Sequence, residues 1–303
     1  MNTHINKTEI RNALTVDVED YFQVSAFENH IARDKWNSLP CRVDGNTNRI
    51  LDLFAKQGVS ATFFILGWVA ERYPKLVKRI QSEGHEVASH GYSHMRVTQL
   101  QPDDFRNEVI RTKELLEDIS GEPVKGYRAP SYSINASNLW ALDILCETGH
   151  QYSSSIYPVR HDLYGMPNAP RFAHYPRDND LLEIPISTTS LLGWKMPCGG
   201  GGFFRLFPYQ LSRWAINRIN SSEKSPSVFY FHPWEIDPDQ PKQQGLQWRT
   251  RFRHYLNLHR TEQRITQLLK DFSWGRMDDV YLNQDAEYPH ALLMEADKSV
   301  SIG

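Results

Sequence analysis

Short apolar, β-branched segments take turns with amphipathic ones along this chain, and that alternation limits the fold more than any other feature. Residues 12–18 (NALTVDV), 60–66 (SATFFIL), 85–90 (HEVASH), VKGYRAP, QYSSSIYP, 181–188 (LLEIPIST) and 227–232 (SVFYFH) read as strands. Between them, 47–58, 70–84, 102–121, 136–149, PYQLSRWAINRINS and 259–272 read as helices. The stretch 102–121 is the clearest: Pro and two Asp open it, apolar residues recur at helical spacing, and Gly121 follows it. No repeat of fixed period and no second composition regime interrupts the pattern. The 303 residues are therefore expected to form one α/β domain of βα units. A closed parallel barrel and a doubly wound sheet both fit. The stretch CGGGGFFRLFP is expected to be a mobile loop, since glycine reaches backbone angles closed to other residues. No Lys-Ser/Thr follows its glycines, so it is not a phosphate loop.

The unusual polar residues fall at the ends of the strands. Asp17, Glu19 and Asp20 end the first, the HGYSH string with His90 and His94 follows the third, RAPSY with Arg128 the fourth, and His232 ends the last. In parallel α/β folds the strand C-termini open on one face, and that face holds the active site. His90 and His94 alone could be ordinary polar residues. Beside a carboxylate they form a catalytic ligand set for Zn2+ or another first-row divalent ion, with positions left for water. Asp17 follows the strongly apolar ALTV, so its carboxylate needs a buried partner, which Arg128 could supply.

Composition excludes more than it selects. Lys and Arg total 34 against 36 Asp and Glu, so no strong field of one sign is expected to draw nucleic acid or an anionic membrane. The longest apolar-rich run, ATFFILGWVA, is ten residues, well short of the ~20 that span a bilayer. The start has no apolar signal region, and Cys41, Cys146 and Cys198 lack CxxC spacing. These features lead to the expectation of a cytoplasmic protein with free thiols and no transmembrane segment.

With these motifs in order, the chain resembles the polysaccharide deacetylase family, the NodB-homology group of carbohydrate esterases, whose fold is a distorted (β/α)7 barrel. The LTVD string resembles the family's first motif, HGYSH its HxxxH, RAPSY its RxPY, and YFH its late LxH. The resemblance implies Asp17 as general base, His90 and His94 as metal ligands and His232 as general acid. Arg128 would hold the base, and backbone near Tyr132 would face the oxyanion. The longer strings VDVEDYFQVSAFE, TFFILGWVAERYP, GGGFFRLFPY and FYFHPWEIDP resemble a branch found with bacterial exopolysaccharide and protein-sorting gene clusters. That branch carries a C-terminal extension, here roughly 160–290, integrated into the barrel.

Two departures from the family pattern bear on the site. The usual adjacent aspartates are replaced by Asp17-Val18-Glu19-Asp20. On a strand, side chains at i and i+2 share a face, which favours Glu19 as ligand, with Asp20 as the alternative. Ser153 stands where relatives carry an Asp that orients the acid histidine, and a hydroxyl does not raise an imidazole pKa as a carboxylate would. Substrate contacts are expected at Tyr132, Ser153, Phe203, Phe204, Arg205 and Trp234.

The implied reaction is hydrolysis of N-acetyl groups on aminosugar residues of a bacterial polysaccharide or its oligosaccharide precursor, with one divalent metal, Zn2+ first. Peripheral association with polysaccharide assembly machinery is a further expectation, and the oligomeric state stays open. The alternatives are an allantoinase-like or cyclic-imidase-like C–N hydrolase, an iron oxygenase and a non-catalytic carbohydrate-binding relative. Oxygenases with two histidines and a carboxylate are usually all-β, which the alternation of strand and helix argues against.

Overall fold

A computed structural model describes residues 10–160, 165–191, 194–282 and 287–295. In chain order the elements are β1 (Arg11–Val18), α1 (Val43–Gln57), β2 (Thr62–Ile65), α2 (Gly67–Arg72), α3 (Pro74–Ser82), β3 (Glu86–Ser89), α4 (Pro102–Ser120), β4 (Gly126–Tyr127), α5 (Trp140–Glu147) and β5 (Tyr152–Ser153). There follow β6 (Leu182–Glu183), the hairpin β7 (Thr188–Leu191) and β8 (Trp194–Pro197), α6 (Gly201–Leu206), α7 (Tyr209–Ser222), β9 (Val228–Phe231), α8 (Trp248–Tyr255), α9 (Leu258–Asp271), β10 (Ser273–Gly275) and α10 (Met277–Tyr281).

The main sheet runs β10-β1-β2-β3-β4-β5-β6, with β9 also on β1, and its pairings are parallel. The fold is a distorted (β/α)7 barrel. Its seven barrel strands are β1 to β6 and β9, the seven segments that alternation predicts. β1 is the hub: Arg11–Ala13 pair with β10, Ala13–Val16 with β9 and Thr15–Val18 with β2. Its odd and even residues part company. Leu14, Val16 and Val18 join Phe63, Ile65, Phe229 and Phe231 in the core shared with the helices. Thr15 and Asp17 instead meet the buried Arg128.

Some elements depart from expectation. The single helix read over 70–84 is two, because Pro74 has no N–H to continue α2 and instead opens α3. The short β10 and the helices α6, α8 and α10 give no periodic signal long enough to read.

The four-glycine stretch is not a mobile loop. Gly199 and Gly200 run beside β9, where the Tyr230 N–H donates to the Gly199 carbonyl oxygen at 2.7 Å. A Cβ on Gly199 would overlap the Val228 carbonyl oxygen, one on Gly200 the Tyr230 ring, and one on Gly201 the Glu235 carboxylate. These glycines let backbone close the wall between β6 and β9, and Gly201 then starts α6.

Candidate active site

Asp17, Glu19, His90, His94, Ser131, Tyr132, Tyr230, His232 and Trp234 line one cleft of about 250 Å³ at the C-terminal end of the strands. Asp17 sits in β1, and Glu19 follows in a turn whose N–H donates to the Asp17 carbonyl oxygen. His90 leaves β3, and His94 is held at φ 53, with Gly91 at φ 74 supplying the turn between them.

Glu19, His90 and His94 each offer one ligand atom, all within 4.8 Å of one another, and all three are buried. His90 Nδ1–H donates to the Arg128 carbonyl oxygen at 2.8 Å, which leaves Nε2 with its lone pair free to ligate. Burial pushes the His90 pKa down to about 4, so the ring is neutral, as a metal ligand must be. Burial would raise the Glu19 carboxyl, but the neighbouring histidines hold it down at about 2. Glu19 Oε2 lies 2.6 Å from His94 Nε2 and is deeply buried. At that distance the two groups share a hydrogen bond. The clustering of one carboxylate and two imidazoles, all buried, suits a divalent ion.

Asp20, the alternative ligand, points elsewhere. Its carboxylate accepts the N–H groups of Tyr21 (2.8 Å), Arg42 (2.6 Å) and Val43 (2.9 Å), which satisfies the start of α1. Burial pushes its pKa up to about 6 against the pull of those donors. The adjacent acids thus take opposite tasks.

Asp17 Oδ1 accepts from Arg128 Nη1 at 2.6 Å, inside a wholly buried ion pair. Arg128 also donates to Thr15 Oγ1 and to Ser154, so its guanidinium is fixed from three sides. Asp17 Oδ2 faces His232 Nε2 at 4.0 Å, and Glu19 Oε1 lies 3.5 Å from that nitrogen. Trp234 Nε1–H donates to Glu19 Oε1 at 3.2 Å, and its ring stacks between His232 and His254.

Ser153 does not orient the acid histidine, contrary to the expectation. Its hydroxyl donates to Ser155 Oγ at 2.8 Å. The carboxylate comes instead from Glu235, three residues beyond His232. His232 Nδ1–H donates to Glu235 Oε1 at 2.7 Å, and the His232 backbone N–H reaches the same oxygen at 3.1 Å. Arg205 Nε donates to Glu235 Oε2 at 2.6 Å, and Arg205 is held in turn by the His254 and Leu256 carbonyl oxygens. Burial alone would lower the His232 pKa; Glu19, Glu235 and Asp17 together push it up to about 9. The HPWE string contained this signal, since i and i+3 meet across one turn.

The expected sugar contacts Phe204 and Arg205 are likewise elsewhere. Phe204 packs in the core against Phe229, and Arg205 is consumed by Glu235. Phe203 lines a separate groove with Trp248 and Phe252. Tyr132 sits at φ 51 beside Ser131 at φ 56, a strained pair that turns the chain into the cleft. The Tyr132 N–H already donates to the Ala129 carbonyl oxygen at 3.0 Å, so it is not the free oxyanion donor.

Comparison with known proteins divides the chain in two. Residues 35–152 match the polysaccharide deacetylase family model, and residues 154–282 match a domain of unknown function (DUF3473). A peptidoglycan-N-acetylglucosamine deacetylase of Bacillus cereus is 41% identical over 98 residues, 32% of this chain and 36% of that protein. A peptidoglycan deacetylase of Helicobacter pylori is 32% identical over 109 residues, 36% of each chain. The chain thus spans about a third of the length of these relatives. A solved structure from Mycobacterium smegmatis, provisionally named a polysaccharide deacetylase, shares the fold. Its TM-score is 0.59 at 20% identity, covering 98% of this chain and 97% of that one.

Proposed function

We propose that this chain, which carries a polysaccharide deacetylase domain, is a metal-dependent hydrolase that removes N-acetyl groups from aminosugar residues of a bacterial glycan. The observation that carries the reading is the convergence, in one cleft, of a His/His/Glu ligand set, an Arg-held aspartate and a carboxylate-held histidine. Glu19, His90 and His94 would hold the ion. A divalent ion there supplies a water of lowered pKa, from ~16 towards ~7, and a Lewis acid for the acyl oxygen.

The chain's own groups do the rest. Asp17, its Oδ1 fixed by Arg128, accepts the proton of the attacking water at Oδ2. His232, held by Glu235 through Nδ1, gives the Nε2 proton to the departing amine nitrogen. Without that proton the C–N bond of an unactivated amide does not break. The products are acetate and a free amine. A hydroxyl at 153 in place of an aspartate would suit a non-catalytic binding relative, but it is Glu235 that holds the imidazole here. A cytoplasmic setting belongs to the same reading: the three cysteines are free thiols, and no helix of the described residues is long and apolar enough to cross a membrane. The test is acetate release from a panel of N-acetylated oligosaccharides. The reading requires release that chelation abolishes and a divalent ion restores; no release from any member sinks it.

A further inference from the structure

Helices α6 and α8 face each other across a groove of about 510 Å³ that the reaction does not use. Three of the seven large hydrophobic residues left exposed among those described gather here: Trp248 (73% exposed), Phe252 (53%) and Leu206 (46%). Trp248 and Phe252 are four apart and share one face of α8. Arg249, Arg251 and Arg253 surround them, all exposed and none in an ion pair among the described residues. No acid occurs between 240 and 261, where five Lys and Arg lie in a chain of net charge −2. Glu28, an acid on the adjoining groove, is already bound by Arg33 and Arg96.

From this we infer that the α6–α8 face docks onto the anionic headgroup surface of a lipid bilayer, with Trp248, Phe252 and Leu206 entering the interface and the three arginines meeting lipid phosphates. The two halves of the argument are independent. Exposed arginines with no acidic partner among the described residues, with Arg249 over the Trp248 ring, suit an anionic surface. Protruding Trp, Phe and Leu beside them call for one with an apolar interior, which a soluble polyanion lacks. The face is also continuous with the catalytic cleft. Gly202 and Arg253 line both this groove and the adjoining one, which shares Val24, Arg96 and Trp234 with the cleft. Docking would hold the cleft close to membrane-borne glycan; that consequence rests on the deacetylase reading, whereas the docking itself does not.

The test is co-sedimentation of the full chain with vesicles of phosphatidylcholine alone and of phosphatidylcholine with phosphatidylglycerol. The protein should pellet with the anionic vesicles and stay largely in solution with the neutral ones. Arg249→Gln/Arg251→Gln/Arg253→Gln should weaken binding about 100-fold, and Trp248→Ala/Phe252→Ala at least about tenfold. All five side chains are exposed, so thermal unfolding of both variants should match the parent. The inference is overturned if the parent ignores anionic vesicles, or if dextran sulfate binds as tightly and the aromatic variant loses nothing. It is equally overturned if sedimentation shows a parent dimer that the aromatic variant dissolves, since the face would then join two copies of the chain.

Discussion

At the metal corner of the cleft, Glu19, His90 and His94 converge on one point from two strand ends, while at the acid corner His232, Glu235 and Arg205 form a closed row of hydrogen bonds. The first set leaves ligand atoms facing one another, all within 4.8 Å, where a cation fits. The second is closed on one side: His232 Nδ1, Glu235 and Arg205 have fixed protein partners, while His232 Nε2 faces the cleft with its nearest carboxylates at 3.5 and 4.0 Å. The corners also come from different parts of the chain. The metal histidines lie within 35–152, and the whole acid row lies within 154–282. In the proposed reading one corner receives an ion and the other holds a proton, and different substitutions should break them.

The largest effect should come from the metal corner. Elemental analysis of the purified parent should find about one divalent ion per chain, and His90→Ala/His94→Ala should find none, with acetate release lost. A double variant that keeps the metal would show that these are not the ligands. Next is the acid itself. His232→Ala should lower cleavage of an N-acetyl sugar by ~10²–10⁴-fold while sparing much of the activity on an aryl acetate, whose phenolate leaves without help. Asp17→Asn should damage both substrates, and equal losses in both variants on both substrates would show the roles to be misassigned.

A smaller loss should follow from freeing the imidazole. Glu235→Gln keeps the size of the side chain but removes its charge, so amide turnover should fall roughly 10–100-fold with metal content and KM little changed. Glu235→Ala should also destabilise the fold, because it strands Arg205 as a buried, unpaired charge. If Ser153→Ala costs as much amide turnover as Glu235→Gln, the relay is misplaced. The smallest effect concerns the adjacent acids. Glu19→Ala should lose the metal, whereas Asp20→Ala should keep it and lower stability by about 1–2 kcal/mol through the lost cap of α1. Metal loss from Asp20→Ala, measured on folded protein, would reverse that division.

Much of the fold was legible because long, strongly periodic segments announce themselves. The seven barrel strands and the helices α4, α7 and α9 all carry the pattern across enough residues to be read. The two-residue hydrogen-bonded cores of β4, β5 and β6 would be invisible without their apolar flanks. The glycine run was misjudged for a general reason: glycine serves equally where backbone must move and where it must pack closely. Only the neighbours of Gly199, Gly200 and Gly201 tell the two apart.

The sequence by itself determined that Asp17, His90, His94, Arg128 and His232 stand at strand ends, because strand period and strand order follow from local pattern. The i, i+2 relation of a strand did not place Glu19: β1 ends at Val18, and Glu19 lies in a turn whose N–H donates to the Asp17 carbonyl oxygen. Only the tertiary structure decided that Asp20 caps a helix, that Ser153 turns away, and that Glu235 with Arg205 holds the imidazole. Those outcomes depend on which buried group reaches an unsatisfied donor or charge first. That competition is settled by distances between segments up to thirty residues apart, as Arg205 and Glu235 are.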